Sequence, residues 1–231
     1  MRNYDAGELA ALHAAHSPDR IAPYLLATGS LAEAFELYVW NTVIASRLHG
    51  ALQAVEVALR NACHRELTDF ISADWFRDEE FFSYDETFAE SFSTVETRLR
   101  NERKRLTAAS VIAGYPFGFW TRLFDGETGL MLWEPVLRGI FFDPAPKSAG
   151  IVFRDLDALR DLRNRVAHYK PLYTMSIANE LARIERVADW IDPVLANWIR
   201  RFDPVRVALA DRPVPELDPT RGSAPWRLRT F

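Results

Sequence analysis

The 231-residue chain contains a single cysteine, Cys63. It can therefore form neither an internal disulfide nor a thiolate zinc cluster, and this sparing use of thiols fits a reducing cytosol. No uninterrupted apolar stretch has the roughly 20 residues that a membrane span requires, and no basic-then-apolar leader opens the sequence. The expectation is a cytoplasmic chain without a membrane partner. The five histidines are scattered without metal-ligand spacing, so neither a metal nor another cofactor is expected. The phosphate-cradling G-x-x-x-x-G-K-[ST], the dinucleotide-binding G-x-G-x-x-G, the zinc-binding H-E-x-x-H and the nucleophile elbow G-x-S-x-G are all missing. Strand-like alternation, internal repeats and low-complexity tracts are missing too. A formal net charge of -4 argues against a general nucleic-acid coat, yet leaves room for a local basic patch.

What is present is an ordinary globular balance, 48% hydrophobic and 26% charged, in a chain long enough to bury a full-sized core. Seven Trp and fifteen Phe point to a densely packed aromatic interior or a sizeable interface. The expected organisation is a soft N-terminal segment over 1–16, one all-α domain over 17–210 and a Pro-rich flexible tail over 211–231.

Helix signals recur along the domain. Ser17-Pro18-Asp19 is a helix start, with Thr28-Gly29 as its stop. Ser30 and Glu33 form a capping box before a long helix whose apolar positions run Leu31, Phe35, Tyr38, Ala45, Leu48, Leu52, Val55, Leu59, Ala62, Leu67 and Phe70. Gly50 is a candidate break. Around 51–59 the other side is also apolar or small, as in a central helix. Asp85 caps a helix expected to reach about 108. Pro116-Phe117-Gly118-Phe119-Trp120 packs a helix start into the core, and a short helix lies around 128–140. Ser148 opens a helix with the stripe Val152, Leu156, Leu159, Leu162 and Val166, which should finish near Tyr169 because Pro171 disfavours helix in the residue before it. A last amphipathic helix over 174–200 is kinked at Pro193, and a short helical piece falls near 204–210.

Two polar features need explanation. His49, Gln53, Glu56, Arg60 and His64 lie within about 80° of one another on the long helix. They are either a buried, self-paired stripe, with Glu56 and Arg60 at i, i+4, or the lining of a polar cleft facing residues 163–168. The run Arg98, Arg100, Arg103, Lys104 and Arg105 is either a solvated helix end or a phosphate-contacting, RNA-positioning patch.

The third feature is Asp161-Leu162-Arg163-Asn164-Arg165-Val166-Ala167-His168-Tyr169-Lys170-Pro171. Histidine transfers protons near neutral pH, and arginine is a permanent, fork-shaped cation suited to a phosphate. RNA carries its own nucleophile in the 2′-hydroxyl, so such a pair can cleave it without a metal. An R-x4-H spacing is common by chance, and on spacing alone a charged helix end is the favoured reading.

Arg163-Asn164-Arg165-Val166-Ala167-His168 resembles the R-x4-H motif of HEPN domains, in the R-N-x-x-A-H form of Abi-like (abortive infection) bacterial proteins. Tyr38-Val39-Trp40-Asn41, the run Val55–Asn61 and Phe117-Gly118-Phe119-Trp120 support the likeness in the family's order. Together they extend it over about residues 17–200. The resemblance implies a helical bundle with a long central helix that dimerises and brings two motifs together. It also implies metal-independent endoribonuclease activity in phage defence or as a toxin, answering to an antitoxin or a phage-derived trigger. Carried over by position, Arg163 is the phosphate-binding cation, Asn164 its polar partner and His168 the acid–base residue. Glu56 and Arg60 flank the site, with His64 one turn further on. Some family members have R-x4-H-x-Tyr. Here that position is Lys170, and Tyr169 falls one residue early, so control through a modified tyrosine does not transfer. The alternative is a non-catalytic HEPN module that binds RNA or protein, with Arg163 and His168 in a structural dimer interface.

Overall fold

The structure, a computed structural model, describes residues 4–201 and 205–210, together with the backbone of 214–215 and 226–227. Its α-helices are α1 (Ala6–His16), α2 (Pro18–Thr28), α3 (Leu31–Phe70), α4 (Glu79–Ser83), α5 (Thr87–Asn101), α6 (Ala108–Gly114), α7 (Phe117–Arg122), α8 (Gly126–Trp133), α9 (Ala149–Ala167), α10 (Ile177–Ile191), α11 (Pro193–Arg201) and α12 (Val205–Ala210). The extended structure among the described residues is a two-residue antiparallel pairing of Val214–Pro215 with Trp226–Arg227. The fold is all-α. Apart from that pairing, the tail expected over 211–231 lies outside the described residues. No described helix is long and apolar enough to cross a membrane.

The N-terminal stretch, expected to be soft, is helical from Ala6. Asp5 accepts the Glu8 N–H at 2.8 Å, and the alanine-rich sequence behind it loses little entropy on becoming helical. The helix starts at Ser17 and Ser30 hold. Ser30 accepts the Glu33 N–H and donates to its carboxylate at 2.8 Å, while Gly29 closes α2 at φ 86°. No break follows at Gly50: α3 runs unbroken through 40 residues. α5 ends at Asn101, earlier than expected, because Arg103 takes up a left-handed conformation at φ 54°. The Lys104 N–H then closes back on the Leu99 carbonyl at 2.9 Å, a Schellman-type termination. At Pro193 the expected kink is a break between α10 and α11, since proline cannot continue the ladder of hydrogen bonds. The break also changes the buried set: Ala196 and Ile199 face inward, and Trp198 is 51% exposed. Phe70, at the fraying end of α3, is half exposed as well.

The residues group into two compact units. Of the described residues, those within 1–50, 164–181 and 203–231 form the first, and those within 51–163 and 182–202 the second. Both divisions in the motif-bearing region fall inside helices, at Gly50–Ala51 in α3 and Arg163–Asn164 in α9, where composition carries no linker signal. The first unit buries Ile21, Tyr24, Phe35, Leu37, Trp40, Ile44, Leu48 and Leu172. There the Trp40 indole N–H donates to the Ala208 carbonyl at 3.0 Å.

The second unit buries the α3 face Leu52, Val55, Leu59, Ala62 and Leu67, and the α9 stripe Val152, Leu156, Leu159 and Leu162. Its aromatic cluster centres on the fully buried Trp75, with Phe81 at 4.8 Å and Phe119 at 6.3 Å between ring centroids. Tyr115 stacks on Phe119 at 3.8 Å. Asp155 on α9 accepts from both Arg183 and Arg186 on α10, at 3.2 and 2.7 Å, pinning the two helices by charge-assisted bonds.

Candidate functional site

α9 carries the motif and ends at Ala167, four residues before Pro171. Tyr169 sits at φ 56°, the Tyr169 N–H reaches the Val166 carbonyl at 3.3 Å, and the Lys170 N–H reaches the Arg165 carbonyl at 2.9 Å. This is a Schellman closure with tyrosine where glycine is usual. His168 occupies the capping position between helix and turn. Its N–H donates to the Asn164 carbonyl at 3.0 Å, and its exposed side chain makes no hydrogen bond among the described residues. Asn164 is half-buried.

The turn that holds His168 is tied down from several sides within the first unit. Asn41, buried on α3, accepts the Leu172 N–H at 2.6 Å and donates to the Lys170 carbonyl at 3.5 Å. Arg165 donates to the Pro171 carbonyl at 3.2 Å. Arg20 donates to the Tyr169 carbonyl at 2.9 Å, and the Tyr173 hydroxyl donates to the Pro23 carbonyl at 2.8 Å. Asn41, which enters the family resemblance as part of a sequence match, thus has a physical role in fixing the chain that leaves the motif.

Arg163 is the last residue of the second unit's helical segment and lines a cleft of about 550 Å³. Its guanidinium lies 3.6 Å from the Glu56 carboxylate, with side chains 39% and 20% exposed, respectively. That is an ion pair too long to be a hydrogen bond, and the guanidinium makes no hydrogen bond with the described residues. Glu90, Ser91, Thr94, Val95 and Arg98 form one face of α5 in the same cleft, opposite Gly114, Tyr115 and Pro116. Arg98 donates to the Gly114 carbonyl at 3.0 Å. A Cβ on Gly114 would stand 2.7 Å from that guanidinium and 2.6 Å from Val95, so a glycine is needed for Arg98 to lie there. Burial pushes the Tyr115 phenol above its ordinary range.

The flanking residues separate in space and in role. Glu56 pairs with Arg163, and no Glu56–Arg60 contact within salt-bridge distance occurs among the described residues. Arg60 is half-buried, and its Nε is enclosed without a hydrogen-bond partner among them. His64 is a structural acceptor, its Nδ1 receiving the Trp75 indole N–H at 3.0 Å. Gln53 is exposed, and His49 lines a different pocket in the first unit.

Burial lowers the His64 pKa from its ordinary 6.5. The folded protein therefore binds this proton less readily than the unfolded chain does. The resulting stability is complete above pH 6.5 and is lost as pH falls toward the folded value. His64→Asn keeps an acceptor at the Nδ1 position and removes the titration. The melting temperature of the variant is expected to fall less than that of wild type between pH 7.5 and 5.5. An identical acid slope in thermal scans would refute this role.

The basic run does not form one face. Arg98 and Arg100 stand on α5, and Arg103, Lys104 and Arg105 follow its end, because the left-handed Arg103 terminates the helix. Arg100 pairs with Glu96 at 3.5 Å and Lys104 with Glu102 at 2.7 Å, both on the surface. Arg98 is the member of the run that lines the Arg163 cleft. The sequence reading missed Glu90, Ser91, Thr94 and Tyr115 at that cleft, and Asn41, Arg165 and Arg20 at the turn. Their advance signals were helical spacing for the α5 set and, for Asn41, its place in the Tyr38–Asn41 match.

Among the described residues no group of three or more His, Cys, Asp or Glu side chains is placed to hold a metal ion. Cys63 is buried, and burial raises its thiol pKa, so it is no ready nucleophile. No protein-family model, curated protein or solved structure matches the chain.

Proposed function

We propose that this protein is a metal-independent endoribonuclease of HEPN type, acting on RNA in phage defence or as a toxin. Arg163 binds the scissile phosphate and stabilises charge as the phosphorane forms. His168 either takes the proton from the attacking 2′-hydroxyl or delivers one to the departing 5′-oxygen, and a second copy of the motif in a homodimer supplies the complementary transfer. The P–O5′ bond breaks as the 2′-oxygen bonds to phosphorus, leaving a 2′,3′-cyclic phosphate and a free 5′-hydroxyl.

The observation that carries this reading is accessibility. Arg163 is part-exposed in a cleft with N–H donors to spare, and His168 is exposed on a turn tied to its surroundings. A motif serving only as internal mortar would be buried and fully paired, because unpaired buried charge is costly. The Asn41, Arg165 and Arg20 hydrogen bonds supply what catalysis asks of a mobile imidazole, a fixed backbone beneath it.

The test is direct. Purified protein incubated with single-stranded RNA is expected to cleave it equally with and without EDTA, and the 5′ fragments should end in a 2′,3′-cyclic phosphate by mass spectrometry. Binding of RNA with no cleavage under any condition would favour the non-catalytic module instead.

A further inference from the structure

A second feature of the motif turn has no role in that chemistry. Tyr169 is 68% exposed and sits in the left-handed region at φ 56°. For a bulky side chain this conformation is uncommon and costs free energy that glycine would not. The fold nevertheless sustains it, through the Schellman closure and the Arg20 bond to the Tyr169 carbonyl at 2.9 Å. The phenol makes no ring contact or hydrogen bond with the described residues. A large planar side chain is therefore held at the surface on a fixed backbone, at a position where a smaller residue would stabilise the turn better. Strain maintained by surrounding structure at such a place is a functional signature.

Tyr169 borders a pocket of about 400 Å³ within the first unit, lined also by Tyr38, Asn41, Thr42, Ala45, Ser46, His49, Val166 and Ala167. Its inner wall is largely apolar: Ala45 and Val166 are buried, beside Asn41, whose amide is engaged with the Leu172 N–H and the Lys170 carbonyl. Tyr38 is immobilised by edge-on packing against His16 at 5.2 Å and Tyr24 at 5.3 Å. The opening is polar, with Ser46 and His49 exposed. Flat apolar walls with hydrogen-bonding groups at the mouth suit a planar heteroaromatic ring whose polar atoms lie on its edge. That is a nucleobase, and the volume takes one nucleoside.

We infer that this pocket binds an unpaired RNA base stacked on Tyr169, beside the phosphodiester that His168 addresses. The inference rests on the proposed function for its choice of ligand. It makes the protein selective for single-stranded over duplex RNA, because a base inside a duplex is stacked on both faces and its pairing edge is taken. The base edge meets Ser46 and His49, which can donate and accept in either direction, so the site tolerates different bases.

The experiment measures binding, with cleavage followed in parallel. Anisotropy of a fluorescein-labelled single-stranded RNA with 2′-O-methyl riboses, which lacks the attacking hydroxyl, is recorded with full-length wild type and with Tyr169→Gly, Tyr169→Phe and Tyr169→Trp. Cleavage is followed on the unmodified RNA. The glycine variant should lose affinity about 5- to 150-fold, the range expected for one stacked base. Tyr169→Phe and Tyr169→Trp should bind within about threefold of wild type, since the ring face is kept. The glycine variant should also melt no lower than wild type, because its backbone strain is relieved. Affinity for a blunt RNA duplex should be the same for all four proteins. A stable Tyr169→Gly protein that binds single strands as tightly as wild type overturns the inference, and so does an equal loss for single strand and duplex. If wild type cleaves nothing while the glycine and phenylalanine variants still differ in single-strand binding, the ribonuclease reading has failed and the base site stands.

Discussion

Replacing His168 with alanine should lower RNA cleavage by about 100- to 10,000-fold, the usual contribution of a positioned acid–base group, while leaving the fold intact. His168 is exposed, and only its backbone N–H is bonded, to the Asn164 carbonyl, so truncation removes no packing and leaves no orphaned group. Arg163→Ala should cause a loss of similar order, but through a different channel. Removing the guanidinium strips charge stabilisation from the transition state and also leaves Glu56 without its partner at 3.6 Å. The freed carboxylate then faces a cleft that must admit a phosphate, adding repulsion to the lost attraction. Arg163→Ala/Glu56→Gln is therefore expected to bind RNA better than Arg163→Ala while remaining as slow. Arg163→Lys keeps the charge but not the fork that can hold a phosphate while still facing Glu56, and should recover only part of the rate. Single-turnover cleavage at saturating protein separates these effects from binding. Wild-type rates in a His168→Ala protein that melts at the wild-type temperature would sink the catalytic assignment.

How much of this was legible beforehand depends on how local the cause was. The buried stripe Val152–Val166, the N-cap at Ser30 and the helix end before Pro171 follow from spacing and from two or three neighbouring residues, and the structure has each of them. The reading failed where a single residue took an unlikely conformation. Nothing in Arg98–Arg105 announces that Arg103 turns left-handed and ends α5, and that turn is what separates Arg98 from the rest of the basic run. It also failed where a nearby candidate competed with a distant one. The i, i+4 rule offers Arg60 to Glu56, whereas the carboxylate pairs with Arg163, 107 positions along the chain in α9. His64 looked like a flank of the site by its angle on α3, yet Trp75 takes its ring nitrogen. A helical wheel gives direction around one axis and says nothing of what approaches from outside. The clamp on the motif turn was invisible for the same reason, since Asn41 and Leu172 are separated by 131 residues.

That clamp yields the second large effect. Asn41→Ala should destabilise the protein by about 2–3 kcal/mol, because it strands the Leu172 N–H in a site that excludes water. Asn41 is 3% exposed, and its Oδ1 accepts that N–H at 2.6 Å while its Nδ2 faces the Lys170 carbonyl at 3.5 Å. The short bond carries most of the energy, and the long one adds direction more than strength. For a chain of this size such a loss lowers the melting temperature by roughly 5–10 °C. The same substitution releases residues 170–172, and with them the cap on which His168 stands, so cleavage should fall more than stability alone explains. At a temperature where the variant is fully folded by circular dichroism, its single-turnover rate should still be about tenfold or more below wild type, as small misplacements of a catalytic group are costly. Asn41→Asp separates the two contributions: it keeps an acceptor for the Leu172 N–H but turns a carboxylate oxygen toward the Lys170 carbonyl. It should therefore hold the turn less well than asparagine and suffer most above the pH at which the new carboxyl ionises. If Asn41→Ala melts several degrees lower yet cleaves at the wild-type rate when folded, the clamp serves only stability and the His168 turn needs no such support. If neither quantity changes, the turn is held by Arg165 and Arg20 without Asn41.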